Sequence, residues 1–164
     1  MWIFKESRII GETMAISEKA YVTQLSNYLK AGDNEKAKET SKEFSEIYPK
    51  SFIAHFLHAT ACFRMKEYKE AMVEGKKAFF LSGGKDDMVY SAIVTGSALF
   101  LMGDMEGGRK FVSSVQIEGD EDLEKLKLAF AAVTGDAQGA AEHFKKLLKL
   151  NRDAARRMVG KILK

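Results

Sequence analysis

The sequence predicts an all-α protein built from stacked antiparallel helix pairs, and three observations predict it. A single proline in 164 residues, among abundant Ala, Leu, Lys and Glu, leaves little to interrupt helix. Gly-Asp recurs at 32–33, 103–104 and 135–136, each time where a periodic apolar stretch ends, with Lys66-Glu67 as a weaker fourth instance. Four residues beyond each of these pairs stands a small residue: Ala37, Ala71, Gly108 and Ala140, spaced by 34, 37 and 32 positions. A period of that length marks a repeat array in which each unit is one supersecondary element.

The chain is long enough for one domain that buries about 70% of its unfolded surface. Its 46% hydrophobic and 30% charged content is that of a soluble globular protein. One cysteine excludes an intramolecular disulfide, so a reducing, cytoplasmic setting is expected. Residues 1–17 form a separate N-terminal apolar segment, but Lys5, Glu6 and Arg8 break it. It therefore reads neither as a secretory signal nor as a membrane span.

The first unit, 18–51, opens with a helix from Ala20 to Ala31, whose Tyr21, Leu25, Tyr28 and Leu29 recur at helical spacing. Gly32 takes the left-handed conformation that ends it, and the Asp33 carboxylate caps the next helix. That second helix carries Ala37, Phe44 and Ile47 on its apolar side. It closes at Tyr48, which Pro49 pushes out of the helical region. Ser51 then caps the second unit, 52–88, which repeats the scheme through Cys62, KEYKEAM, Ala78 and SGG. The third unit, 89–120, does so through Gly96, Leu99, GDMEGG and Val115. Gly107 and Gly108 make its second helix the weakest, at about 1 kcal/mol each relative to Ala. The acidic GDEDLE places carboxylates at the positive end of the helix that begins the fourth unit, 121–152, which continues through Leu128, Ala131, GDAQGA, Phe144 and Leu147. Residues 153–164 form a basic capping helix.

Large residues on a first helix, a Gly-containing turn, a small residue, an aromatic and a closing proline make up the pattern YLKAGDNEKA…F…YP. It resembles the tetratricopeptide repeat (TPR) family over about residues 18–152. The resemblance implies a right-handed α-solenoid of four degenerate repeats with a C-terminal capping helix. Departures are visible: Tyr21 stands in the tryptophan slot, only the first unit keeps its proline, and SGGKDDMV lengthens one junction.

Chemistry is sparse. His55, His58 and Cys62 sit at i, i+3 and i+7 of one helix, a spacing a metal can use. They also occupy the packing slots of a first helix, and a closed zinc site would lack its fourth ligand, since His143 lies in a distant unit. The expectation is a packed core with no metal and no cofactor. GGKDD lacks phosphate-loop spacing, GDMEGGRK follows no strand, and no G-x-S-x-G elbow occurs, so no enzyme is expected.

The surface is more informative. By the resemblance, first helices line the concave face. That face would carry Val22 and Ser26, then Ile53, Phe56, Thr60 and Phe63, then Tyr90, Ile93, Ser97 and Phe100, with Lys19, Asp122, Lys125 and Ala129 at its ends. Some TPR domains clamp a chaperone's C-terminal carboxylate with polar side chains at such positions. Val22, Ser26, Ile53 and Tyr90 stand there instead, which argues against that clamp. An apolar peptide or amphipathic helix of a protein partner fits better, each buried Phe-sized side chain contributing about 1.5–3 kcal/mol. Phe63 and Phe100 are equally suited to packing between repeats. Trp2, Ile3 and Phe4 are a second candidate occupant, from the same chain or a neighbouring copy.

Two alternative functions remain. A small chaperone would shield an apolar segment of a secreted or assembling partner in the same groove. A nucleic-acid-associated factor would use the tail, where Lys145, Lys146, Lys149, Arg152, Arg156, Arg157, Lys161 and Lys164 face Asp153 alone. Ala155, Met158, Val159, Ile162 and Leu163 recur near helical spacing in that tail, so its charges also read as the solvated face of a terminal helix.

Overall fold

The computed structural model describes residues 16–162, all nine of whose regular elements are α-helices. In chain order these are α1 (Glu18–Ala31), α2 (Asn34–Ile47), α3 (Phe52–Arg64), α4 (Tyr68–Leu81), α5 (Lys85–Leu101), α6 (Met105–Ser114), α7 (Glu121–Val133), α8 (Ala137–Leu150) and α9 (Arg152–Ile162). Trp2, Ile3 and Phe4 lie outside the described residues.

The turn chemistry explains the helix bounds. Gly32, Gly103 and Gly135 adopt φ of 75°, 80° and 76°, the left-handed region that costs glycine nothing. Asp33, Asp104 and Asp136 follow them and accept from the backbone N–H of Lys36, Gly107 and Gly139. Ser17, Ser51 and Asp120 cap α1, α3 and α7 in the same way, and Asn151 accepts from Ala154 N–H in the first turn of α9. The second repeat is the exception: Lys66 is forced to φ 61° and Glu67 offers α4 no side-chain cap. The extra residues of SGGKDDMV lengthen α5, which begins at Lys85, ahead of the 88/89 boundary read from the sequence.

Each helix packs on the next, so neighbours in sequence form the pairs. First helices also contact one another along the stack, α1 with α3, α3 with α5, α5 with α7 and α7 with α9. Among the described residues the second helices α2, α4, α6 and α8 do not contact one another. One side of the array is therefore drawn together and the other splayed.

The small residues lie at the crossings. Ala37 and Ala71 are fully buried, each packed with residues of its own first helix and of the next one: Leu25 and Leu57 around Ala37, Cys62 and Ala98 around Ala71. At Gly108 a methyl group would stand 2.2 Å from the Phe130 ring. The bulky partner there belongs to the following repeat, not to the helix of its own pair. Ala140 is half-buried beside Leu128, Phe144 and Leu147. In the first pair Tyr21 stacks on Phe44 at 4.8 Å, and Tyr48 meets both rings edge-on. The Tyr21 hydroxyl donates to Glu43 at 2.6 Å, and burial together with that carboxylate pushes its pKa up to about 12.

Candidate functional site

The drawn-together side of the stack presents the first helices. Of the ten side chains read as lining it, Tyr90 is the most open at 56% exposure. Val22, Ser26, Ile53, Phe56, Thr60, Phe63, Ile93, Ser97 and Phe100 are half-buried. An aromatic run crosses the middle: Phe52 stacks on Phe56 at 5.6 Å, and Phe56 lies 6.2 Å from Tyr90 of the next first helix. Val22, Ile53 and Phe56 rest on the core of the first two pairs, and Ile93 on that of the third. The Thr60 hydroxyl donates to the Phe56 carbonyl at 2.8 Å and so offers a ligand little more than its methyl group.

Phe63 and Phe100 serve the stack itself. Phe63 meets Tyr68 edge-on at 5.5 Å and packs on the cluster containing Ala98 of the next repeat. Phe100 meets Phe130 of the next repeat edge-on at 5.4 Å. At the ends, Lys19 is exposed, Ala129 is half-buried, and Lys125 is held by Glu121 and Asp122 at 2.5 and 3.0 Å.

No family model matches the chain, and no curated protein does. Among solved structures, one titled "MamA RS-1 ArsTM double mutant" superposes with a TM-score of 0.71, covering 82% of this chain and 75% of that chain at 18% identity. MamA is a TPR-containing protein. The chain has a TPR-like α-solenoid fold. Identity that low speaks to the path of the backbone and leaves the binding face to be read from this chain's own side chains.

Phe52 is the member of the aromatic run that the sequence reading passed over. It stands directly after the Ser51 cap and four residues before Phe56, a spacing that stacks two rings on a helix. Two clefts of this TPR-like solenoid lie elsewhere. One of about 830 Å³ runs from Lys66 to Glu74 with Met102 on its wall, and one of about 630 Å³ lies between Lys85, residues 115–118, Lys127 and His143. In the second, burial pulls the Lys127 ammonium pKa down while its Nζ donates to the Val115 carbonyl at 2.9 Å.

His55, His58 and Cys62 are all buried, in the packing slots of α3. They do not form one set. The His55 Nδ1 faces Glu74 Oε2 at 2.5 Å and its Nε2 faces the Pro49 carbonyl at 3.0 Å. Both partners are acceptors, so the ring satisfies both only with a proton on each nitrogen. Burial opposes ionisation of Glu74, yet His58, Lys77 and His55 outweigh it and hold its carboxyl at about 2. A second pair, buried Glu124 with half-buried His143 at 2.8 Å, joins α7 to α8.

On α9, Ala154 and Ala155 are buried against Leu128 and Leu147, while Arg156, Arg157 and Lys161 are exposed. The helix closes the stack with its apolar side and turns its charges outward. No helix among the described residues is long and apolar enough to cross a membrane.

Proposed function

We propose that the chain is a non-catalytic protein-interaction module that takes an apolar helix or extended apolar peptide of a partner protein across α1, α3 and α5. The observation that supports it most is the run Phe52–Phe56–Tyr90, which links two successive repeats and leaves Tyr90 more than half exposed. Half-buried Val22, Ile53 and Ile93 flank that run. Contiguous apolar surface of this kind marks interaction sites, and side chains packed on the core beneath present it at low entropic cost.

The test is capture of partners from native extract by the wild type, by a Phe56→Ser/Tyr90→Ser variant and by a Phe80→Ser control. Phe80 is 81% exposed and lies on a second helix. The groove variant should stay folded and lose at least tenfold of whatever the wild type retains, while the control keeps it. Equal capture by all three proteins overturns the reading. A small chaperone would use the same face and give the same result. Its occupant would be an apolar segment of an exported or assembling protein.

A further inference from the structure

Cys62, His58 and Glu70 meet at the junction of α2, α3 and α4. One ligand atom from each lies within 4.8 Å of the other two. Cys62 follows His58 by one helical turn, so both point the same way from α3, and Glu70 approaches from the first turn of α4.

The hydrogen bonding of His58 selects one face of its ring. Ser45 Oγ donates to the Lys42 carbonyl, and so can only accept at the His58 Nδ1, 3.1 Å away. That places a proton on Nδ1, and when the ring is neutral it leaves the lone pair on Nε2, the tautomer in which histidine binds metals, with a hydroxyl holding the other nitrogen. Nε2 is buried without a hydrogen-bond partner, on a side chain only 4% exposed. It faces Glu70 Oε1 at 3.4 Å. A carboxylate oxygen and an imidazole lone pair repel each other, and either a second ring proton or a metal cation held between them relieves it.

We propose that His58 Nε2, Cys62 Sγ and the Glu70 carboxylate bind a borderline-soft divalent cation of the zinc class, clipping α3 to α4 in the second repeat. One nitrogen, one sulfur and one oxygen donor suit such an ion, whose bonds of about 2.0–2.3 Å space tetrahedral ligand atoms by roughly 3.3–3.8 Å. The ligand atoms, now within 4.8 Å of one another, would draw together to that range on binding. The fourth position falls to water or to a side chain of a partner. Glu70 is 42% exposed and lines the cleft of about 830 Å³, which supplies the way in. Glu67 and Glu74 line that cleft too, with Lys66 and Lys69 beside them, and Glu67 is paired with Lys38. Without a metal, burial and the nearby Glu70 and Glu67 push the Cys62 thiol up to about 12. A bound cation reverses that balance by taking the place of the thiol proton.

The set differs from the one the sequence suggests. His55 is engaged by Glu74 and Pro49, and its place as third donor is taken by Glu70, from another helix.

The full chain, purified in chelator and then freed of it, is titrated with Zn(II) alone and with Co(II) alone. Expected are one ion per chain and a Co(II) spectrum with thiolate charge-transfer absorption. Cys62→Ser should abolish that absorption, and Glu70→Gln should weaken Zn(II) binding at least tenfold while far-ultraviolet circular dichroism stays unchanged. His143→Ala, at a His–Glu contact without a cysteine, should bind as the wild type does. If Cys62→Ser does not fold, Glu70→Gln decides alone. No saturable binding by the wild type overturns the proposal, as does affinity in Glu70→Gln within twofold of the wild type.

Discussion

The second and fourth repeats pair the same two chemical groups in opposite order. His55 on α3 meets Glu74 on α4, and Glu124 on α7 meets His143 on α8, in each case 19 residues apart along the chain. The third repeat fills the corresponding positions with Ala92 and Phe111, both packed in its apolar cluster. The helix pair thus requires that the two slots complement each other, without regard to which helix carries which group. The surroundings differ, however. Glu74 has Lys77 at 2.6 Å and His58 at 3.6 Å in addition to His55, and His55 itself is tied to Pro49. Glu124 is 1% exposed and has one hydrogen-bond partner, a histidine 18% exposed. One acid anchors a network; the other anchors a single contact.

Deleting the two acids should show the largest difference. Glu74→Ala strands the buried His55, removes a charge partner of the buried His58 and opens a cavity, with an expected cost of about 3–5 kcal/mol in denaturant unfolding. Glu124→Ala strands only His143, which is open enough to be rehydrated, and should cost about 1–3 kcal/mol. Equal costs, or the reverse order, would break the comparison.

Exchanging the members of each pair sharpens it. In the fourth repeat, Glu124→His with His143→Glu keeps the contact and asks nothing new of its neighbours, so a net cost under about 1.5 kcal/mol is expected. In the second repeat, His55→Glu with Glu74→His sets a carboxylate against the Pro49 carbonyl and an imidazole against Lys77. The exchange there should cost about 2 kcal/mol more than in the fourth. The readout is unfolding free energy for both single variants and the double variant in each repeat.

These differences show where the sequence was legible. The turns were, because a left-handed glycine followed by a capping aspartate is a local device that needs no knowledge of neighbours: Gly32-Asp33, Gly103-Asp104 and Gly135-Asp136 each do what their chemistry dictates. The small residues Ala37, Ala71 and Gly108 were legible as a period, although at Gly108 the ring that requires the glycine comes from the next repeat. The His–Glu pairs were not legible. Helical periodicity reports which face a residue shares with others on its own helix, and says nothing of what the opposite helix places 19 residues away. Nothing in the sequence around Glu70 and Glu74 sets them apart from surface acids, and only the packing of α4 on α3 turns them toward His58 and His55. On the face read as binding, Phe56 and Tyr90 lie together, while Phe63 and Phe100 are spent on joining repeats. An aromatic at helical spacing looks the same in both uses.

The smallest effect concerns the turn between the helices of each pair. The fourth repeat turns through Gly135 at φ 76°, the second through Lys66 at φ 61°. A residue with a Cβ is strained there by about 1–2 kcal/mol, and glycine would return part of that gain through the greater freedom of its unfolded chain. Lys66→Gly should therefore stabilise by about 0.5–1 kcal/mol, and Gly135→Lys should destabilise by at least as much. Glu67→Asp restores the missing cap of α4 but shortens the reach to Lys38, now 2.5 Å away. A cap and a half-exposed ion pair are each worth up to about 1 kcal/mol, so this change should be close to neutral. A Lys66→Gly variant no more stable than the wild type would mean that the second repeat relieves the turn by some other contact, and that left-handed strain is not what separates it from the fourth.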